Sequence, residues 1–207
     1  NFTYIAALKP KIVFITDIRR GNLHLQLMYK ALFELSADRA EFVSRLFNKP
    51  KAAGLDGKTS VLDLMNAYLE VMTAEEPVYK ANLQAIYDLL EKKHGFPLSA
   101  DDRSGIEYVY RKFYTYGPAI TYSSSQSGQP GGPTPYHLLM TAVDASGAAR
   151  SYLATEESFQ FLKDLQSKNL VVPVVGNFGG PKAIRAVGKY VRDHGAIVTA
   201  FYLSNVE

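Results

Sequence analysis

Hydrophobic and polar positions follow two periods along the chain, and each predicts one kind of element. Residues 11–17 (KIVFITD) hold four consecutive apolar residues, which predicts a strand buried on both faces, as in a parallel sheet. Residues 23–47 carry apolar side chains three and four positions apart, which predicts helix. The same spacing predicts helices over 60–72, 77–93 and 99–116, the last beginning at Ser99 with Asp102 three residues on.

In the last third of the chain, predicted helices alternate with predicted strands. A helix over 156–168, with Thr155 as its N-cap, precedes a predicted strand over 170–175. Glycines at 176, 179 and 180 predict a turn, a helix then runs to Asp193, and 196–203 is a second strand-like apolar run. Strand, helix, strand with short links predicts a right-handed βαβ unit, and therefore a parallel sheet.

These elements predict an α/β fold with an open, mostly parallel sheet and a large helical insertion. Neither end resembles a natural boundary, so we expect a single incomplete α/β domain that is truncated at both ends. The expected parts are an N-terminal helix, strand and helices (1–47), a helical insertion (48–117), a flexible loop and connection (118–150) and an αβαβ part of the sheet (151–207).

Composition removes several classes of protein. The 207 residues are 47% hydrophobic and 21% charged, with a net charge of +3, which excludes a disordered chain. No cysteine is present, so disulfides, iron–sulfur clusters and thiol nucleophiles are excluded. The basic residues are spread out and give no evidence for nucleic-acid binding. No apolar run predicts a membrane span and no signal peptide opens the sequence, so we expect a cytoplasmic protein.

The first candidate chemistry follows the strand over 11–17. Ligands of open parallel sheets bind beyond the C-terminal strand ends, where Asp17, Ile18, Arg19 and Arg20 are expected. A carboxylate there can accept hydrogen bonds from the two hydroxyls of a ribose, and the arginines can bind a carboxylate or phosphate. The alternative interpretation is that Asp17 caps the following helix and both arginines face solvent.

Two further strand ends carry polar or small residues. Gly176, Asn177 and Phe178 are followed by Gly179 and Gly180, which either admit a ligand close to the backbone or only form a tight turn. This segment matches neither the Walker loop nor GxGxxG.

After 196–203 come Ser204 and Asn205, and Asn205 is the weak candidate for contact with an acceptor. The Gly/Pro/Ser-rich segment 122–135 is either a flap over the site or a surface insertion. The four histidines follow no metal-binding spacing, so we expect no metal.

Longer segments carry a family resemblance. NFTYIAALKPKIVFITDIRRGN, MYKALFELSADRAEFVSRLF, GIEYVYRKF and VVPVVGNFGGPKAIRAVGKYVRDHGAIVTAFYLSNVE resemble an uncharacterised family of bacterial cytoplasmic proteins. Members of that family are similar in fold to class I S-adenosylmethionine-dependent methyltransferases, which implies a Rossmann-like sheet. The resemblance also implies a glycine-containing segment before Asn1 and further chain after Glu207.

The resemblance implies a role for each strand end. Asp17 would hold the ribose of S-adenosylmethionine, and Asn177 with Phe178 would lie near its adenine. Ser204 and Asn205 would lie near the methyl donor and acceptor. The chain departs from the methyltransferase pattern where Asn177 replaces a frequent acidic residue, and where the last strand ends in SNVE rather than NPPY.

Three functions stay open at this point. The first is an S-adenosylmethionine-binding, methyltransferase-like protein with an unknown acceptor. The second is a non-catalytic binding or interaction protein on the same fold. The third is an enzyme acting on another nucleotide or phospho-ligand, which rests on Arg19, Arg20 and the turn at Gly179 and Gly180.

Overall fold

The computed structural model describes residues 2–123 and 132–203. Two strands and nine helices run through these residues. They are α1 (Phe2–Leu8), β1 (Val13–Asp17), α2 (Arg20–Leu35), α3 (Arg39–Phe47), α4 (Val61–Glu70), α5 (Glu76–Asp88), α6 (Ala100–Tyr116), α7 (Tyr136–Thr141), α8 (Glu156–Ser167), β2 (Val171–Val175) and α9 (Ala183–Asp193). A π-helical turn (Leu89–Lys93) continues α5, and a 3₁₀ turn (Gly117–Ala119) follows α6.

Three predicted helix starts are confirmed, each for the same physical reason. Ser60, Ser99 and Thr155 are N-caps whose side chains accept a hydrogen bond from the backbone N–H three residues on. Such a bond satisfies one of the amides that a helix leaves unpaired at its beginning. These short polar signals therefore fix where α4, α6 and α8 begin.

The core is built around α2, which packs against α6, α8 and β2. Met28, Ala31 and Phe33 on α2 are fully buried. The Phe33 ring lies 4.6 Å from the Phe42 ring and 5.3 Å from the Phe159 ring, which ties α2 to α3 and α8. Burying large aromatic side chains in this way supplies much of the hydrophobic stabilisation of a small domain.

The two strands pair in parallel, with Val13 opposite Val171 and Asp17 opposite Val175. The amide of Val13 donates to Leu170, so β2 turns its even-numbered peptide groups towards β1. Pro173 consequently faces the outer edge of β2, where its missing N–H costs no hydrogen bond to β1.

The expectation of an open, mostly parallel Rossmann-like sheet is wrong. The described residues hold a mainly helical α/β fold with one two-stranded parallel sheet. The prediction fails at residues 196–203, which were expected to form a strand. These residues are in no strand, and Ile197 is 83% exposed. The C-terminal part, which was expected to run helix, strand, helix, strand, therefore consists of α8, β2 and α9 in the described residues.

The physical reason is that an apolar run becomes a strand only when a neighbour completes its hydrogen bonds. The Ala196 amide donates to the Val191 carbonyl (3.0 Å), and further contacts of residues 196–203 are made by aromatic side chains. The ring of Tyr202 lies 4.6 Å from the ring of Tyr4, and that of Phe201 lies 5.8 Å from that of Phe178.

Candidate functional site at the strand ends

The C-terminal ends of β1 and β2 lie side by side, and their following residues form what we call the strand-end site. It consists of Asp17, the last residue of β1, of Arg19 and Arg20, which follow it, and of Gly176 and Asn177 after β2. The Gly176 amide donates a 2.9 Å hydrogen bond to the Asp17 carbonyl. Two candidate loops that lie far apart in the sequence are thus joined through the backbone.

Asp17 presents an ionised carboxylate at this edge. It accepts hydrogen bonds from Arg19 through the backbone N–H (2.8 Å), Nε (3.2 Å) and Nη2 (3.1 Å). The Arg19 side chain lowers the pKa of Asp17, against the opposing effect of partial burial. The Arg19 side chain is 74% exposed, so this ion pair lies in water and contributes little to stability. Ile18 is exposed between them.

The loop after β2 is a tight turn closed by hydrogen bonds of its own. The Asn177 side-chain oxygen accepts from the Gly179 amide (3.0 Å), and the Asn177 carbonyl accepts from Gly180 (3.1 Å). A Cβ at position 176 would lie 2.6 Å from the Ala183 Cβ, so glycine there lets α9 begin close to the strand.

Arg20 leads to a polar cluster, centred on the buried side chains of His24 and Asp102, that the sequence did not reveal. Its guanidinium donates to both carboxylate oxygens of Asp102 on α6, through Nε (2.9 Å) and Nη2 (3.0 Å). His24 Nε2 donates to the same carboxylate (2.9 Å), as do the hydroxyl (2.8 Å) and amide (3.2 Å) of Ser99. We call Arg20, His24, Ser99 and Asp102 the Asp102 cluster.

Asp102 is ionised although its side chain is only 7% exposed. Burial alone would raise its pKa, but hydrogen bonds from His24, Ser99 and Arg20 outweigh burial and hold the pKa well below the ordinary value. The sequence predicted Asp102 only as the capping partner of Ser99. A further signal was available, because Arg20 and His24 are four residues apart and therefore share one face of α2.

His24 reaches Asp102 because α6 has a glycine at position 105. A Cβ on Gly105 would lie 2.0 Å from His24 Nδ1 and 2.2 Å from its Cε1. The His24 imidazole thus occupies the space that a side chain at position 105 would need. This close approach fixes the spacing between α2 and α6 beside the strand-end site.

A second buried charge lies elsewhere, at the end of α2. The Glu34 carboxylate accepts from Lys30 (2.7 Å), Lys93 (2.8 Å) and His94 (2.9 Å), and its side chain is 1% exposed. These bonds join α2 to the π-helical turn. Each partner is satisfied within the protein, so this cluster has a structural role.

Several candidate residues are placed differently or fall outside the described ranges. Phe178 packs near Phe201, beside the turn after β2. Asn205 and Ser204, and most of the segment 122–135, lie outside the described residues. Tyr122, at the start of that segment, is exposed and within electrostatic range of Arg19, whose pKa is raised mainly by its hydrogen bond to Asp17.

The described residues hold neither a metal-binding cluster nor a membrane-spanning helix. Within residues 2–123 and 132–203, no three histidine or acidic side chains are grouped closely enough to hold a metal ion. Across the same ranges, no helix combines the length and apolar character needed to cross a membrane.

Fold and site together define a mainly helical α/β protein with a polar site at the end of a parallel strand pair. A protein-family profile described as a domain of unknown function (DUF7790) matches residues 1–207, so the chain belongs to this family. A comparison with curated proteins finds no match.

Proposed function

We propose that the strand-end site binds the ribose of an adenosine-containing ligand, and that this ligand is S-adenosylmethionine, the donor in a methyl transfer. One observation carries the proposal: an ionised carboxylate stands on Asp17, the last residue of β1, whose backbone carbonyl accepts from the Gly176 amide at the shared end of two parallel strands. Strand ends of parallel sheets are where α/β proteins commonly bind such ligands.

The chemistry of Asp17 suits a ribose. The carboxylate offers about four acceptor sites and Arg19 fills three of them, so two sugar hydroxyls can bind once Arg19 releases one of its hydrogen bonds. If Arg19 must turn away, the cost is small, because an exposed ion pair contributes about 0–1 kcal/mol.

The loop after β2 supports the same ligand. Phe178 offers a ring against which a base can pack. Asn177 uses its side-chain oxygen within the turn, so in this proposal it shapes the loop rather than contacts the base. Methyl transfer is an in-line displacement that depends mainly on positioning donor and acceptor.

The test is calorimetric titration of the protein with S-adenosylmethionine and S-adenosylhomocysteine. We expect saturable binding that Asp17→Asn weakens, because the variant keeps the shape of the side chain and loses its charge. Asp144→Asn is the matched control, since Asp144 is also ion-paired, to Arg150, but in a turn distant in sequence. Absence of heat at high micromolar ligand would refute the proposal, and unchanged affinity in Asp17→Asn would remove Asp17 from the site.

A phosphate-bearing nucleotide is the second candidate, because the adjacent side chains of Arg19 and Arg20 are 74% and 58% exposed. Preferential thermal stabilisation by nucleotides or sugar phosphates over S-adenosylmethionine would favour it. Binding of S-adenosylmethionine without turnover over a panel of acceptors would favour a non-catalytic binding protein instead.

A further inference from the structure

The two arginines of the strand-end site are held in different ways. Arg19 bonds to Asp17, two residues away in its own loop, and its side chain is 74% exposed. Arg20 bonds to Asp102, 82 residues away on α6, through two nearly parallel hydrogen bonds. A fork-to-fork contact of this kind fixes the plane of the guanidinium as well as its position.

The carboxylate that holds Arg20 is itself fixed. Asp102 is 5% exposed and is a capping residue of α6, so its backbone and side chain are both constrained. His24 and Ser99 bind the same carboxylate and leave it no room to turn. His24 in turn lies against Gly105. The support of Arg20 therefore reaches into the packing between α2 and α6.

Arg20 keeps donors for a ligand. A guanidinium has five N–H groups, and two of them point at Asp102. The side chain is 58% exposed, whereas that of Asp102 is 7% exposed, and no hydrogen bond within the described residues uses Nη1 of Arg20. Arg20 follows Asp17 by three residues at the same strand end. A fixed arginine with a free edge is suited to bind a planar or tetrahedral anion.

We infer that Arg20 binds an anionic group, a carboxylate or a phosphate, of the ligand whose ribose Asp17 holds. Asp102 and His24 are positioning residues, which aim Arg20 without touching the ligand. This inference rests on the proposed function and adds the chemical class of the ligand's second anchor. Pre-orientation matters because an arginine that is already ordered loses less freedom when the ligand binds.

The test compares three probes by calorimetry with the whole chain: adenosine, which has no anion, S-adenosylmethionine, which carries a carboxylate, and adenosine monophosphate. We expect Arg20→Gln to weaken binding of the preferred anionic probe about 10- to 100-fold and to change adenosine binding less than about twofold. If S-adenosylmethionine loses affinity, Arg20 binds a carboxylate. If adenosine monophosphate loses affinity, Arg20 binds a phosphate. Arg150→Gln is the matched control, because Arg150 is also exposed and paired with an aspartate.

The positioning of Arg20 by Asp102 is tested through the ratio of the affinities for the anionic probe and for adenosine. Asp102→Asn should reduce the preference for the anionic probe while leaving adenosine binding unchanged, a pattern that general loss of structure would not produce. Arg20→Lys should fail to restore the preference, since an ammonium cannot copy the two-pronged geometry. If Asp102→Asn unfolds the protein, the half-exposed Arg20→Gln variant still decides the question.

The outcomes separate this inference from the proposed function. Adenosine binding that requires Asp17, without any preference for an anionic probe, would overturn the role of Arg20 alone. Equal losses for adenosine and the anionic probe in Arg20→Gln would do the same. Failure of the unchanged protein to bind any of the three probes would overturn both.

Discussion

Gly105→Ala tests whether the contact between His24 and α6 supports the Asp102 cluster. A methyl group at position 105 would lie 2.0 Å from His24 Nδ1 and 2.8 Å from its Cγ. Nonbonded carbon atoms prefer about 3.5–4.0 Å, so the ring must move by more than about 1 Å. Because His24 is buried, such a shift breaks its 2.9 Å bond to Asp102.

Two effects of opposite sign compete in this variant. Losing a buried hydrogen bond to a carboxylate costs about 1.5–3 kcal/mol. Replacing glycine by alanine inside a helix stabilises it by about 1 kcal/mol. We therefore expect the free energy of unfolding to fall by about 0.5–2 kcal/mol. With an m-value of about 2 kcal/mol/M, the urea midpoint falls by about 0.25–1 M.

The sign should reverse when His24 is removed. In a His24→Ala background the methyl group meets no ring, so Gly105→Ala should stabilise the protein by up to about 1 kcal/mol. Urea denaturation followed by far-ultraviolet circular dichroism measures all four proteins of this double-mutant cycle. Gly188→Ala on α9 is the matched control, because nothing lies within 4 Å of its added Cβ, and it should be stabilising. Stabilisation by Gly105→Ala in the presence of His24, or equal effects in both backgrounds, would refute the reasoning.

Two more predictions concern the same end of the molecule. The pKa of Asp102 is depressed in the folded state, so the stability it contributes is present above about pH 4 and is lost as the pH falls below that value. Unfolding free energies measured from pH 6 to pH 2 should therefore decline more steeply in the unchanged protein than in Asp102→Asn, and equal slopes would contradict this account. Gly176→Ala should destabilise by about 1–3 kcal/mol, because its Cβ would lie 2.6 Å from the Cβ of Ala183 and no flexible group can relieve that contact. Thermal unfolding measures the loss, and an unchanged melting temperature would show that α9 can shift freely.

Local patterns in the sequence predict local structure well in this protein. The apolar run before Asp17 is a strand, and Ser60, Ser99 and Thr155 begin helices as expected. In each case the deciding interaction spans a few residues. The helix predicted from residue 23 begins earlier, at Arg20, because its first turn is polar and carries no apolar signal.

The features that the sequence did not predict depend on contacts between residues far apart in the chain. Residues 196–203 have the composition of a strand, but strand formation depends on a neighbouring backbone, which composition does not specify. Arg20 and His24 bind Asp102 across 82 and 78 sequence positions, respectively. The sequence made Asp17 and Arg20 candidates for ligand contact, whereas the fold showed that Arg20 is the arginine held by a buried carboxylate.

Pro173 has a consequence for self-association. Exposed strand edges template the addition of other chains, and proline on an edge blocks this growth because it offers no N–H. In β2 the proline lies on the outward side, so the sheet is closed to extension there. On β1 the outward peptide groups belong to Phe14 and Thr16, which are not prolines. Within the described residues, edge-to-edge aggregation of this small sheet is therefore one-sided, and a proline at position 14 or 16 is the substitution that would suppress it.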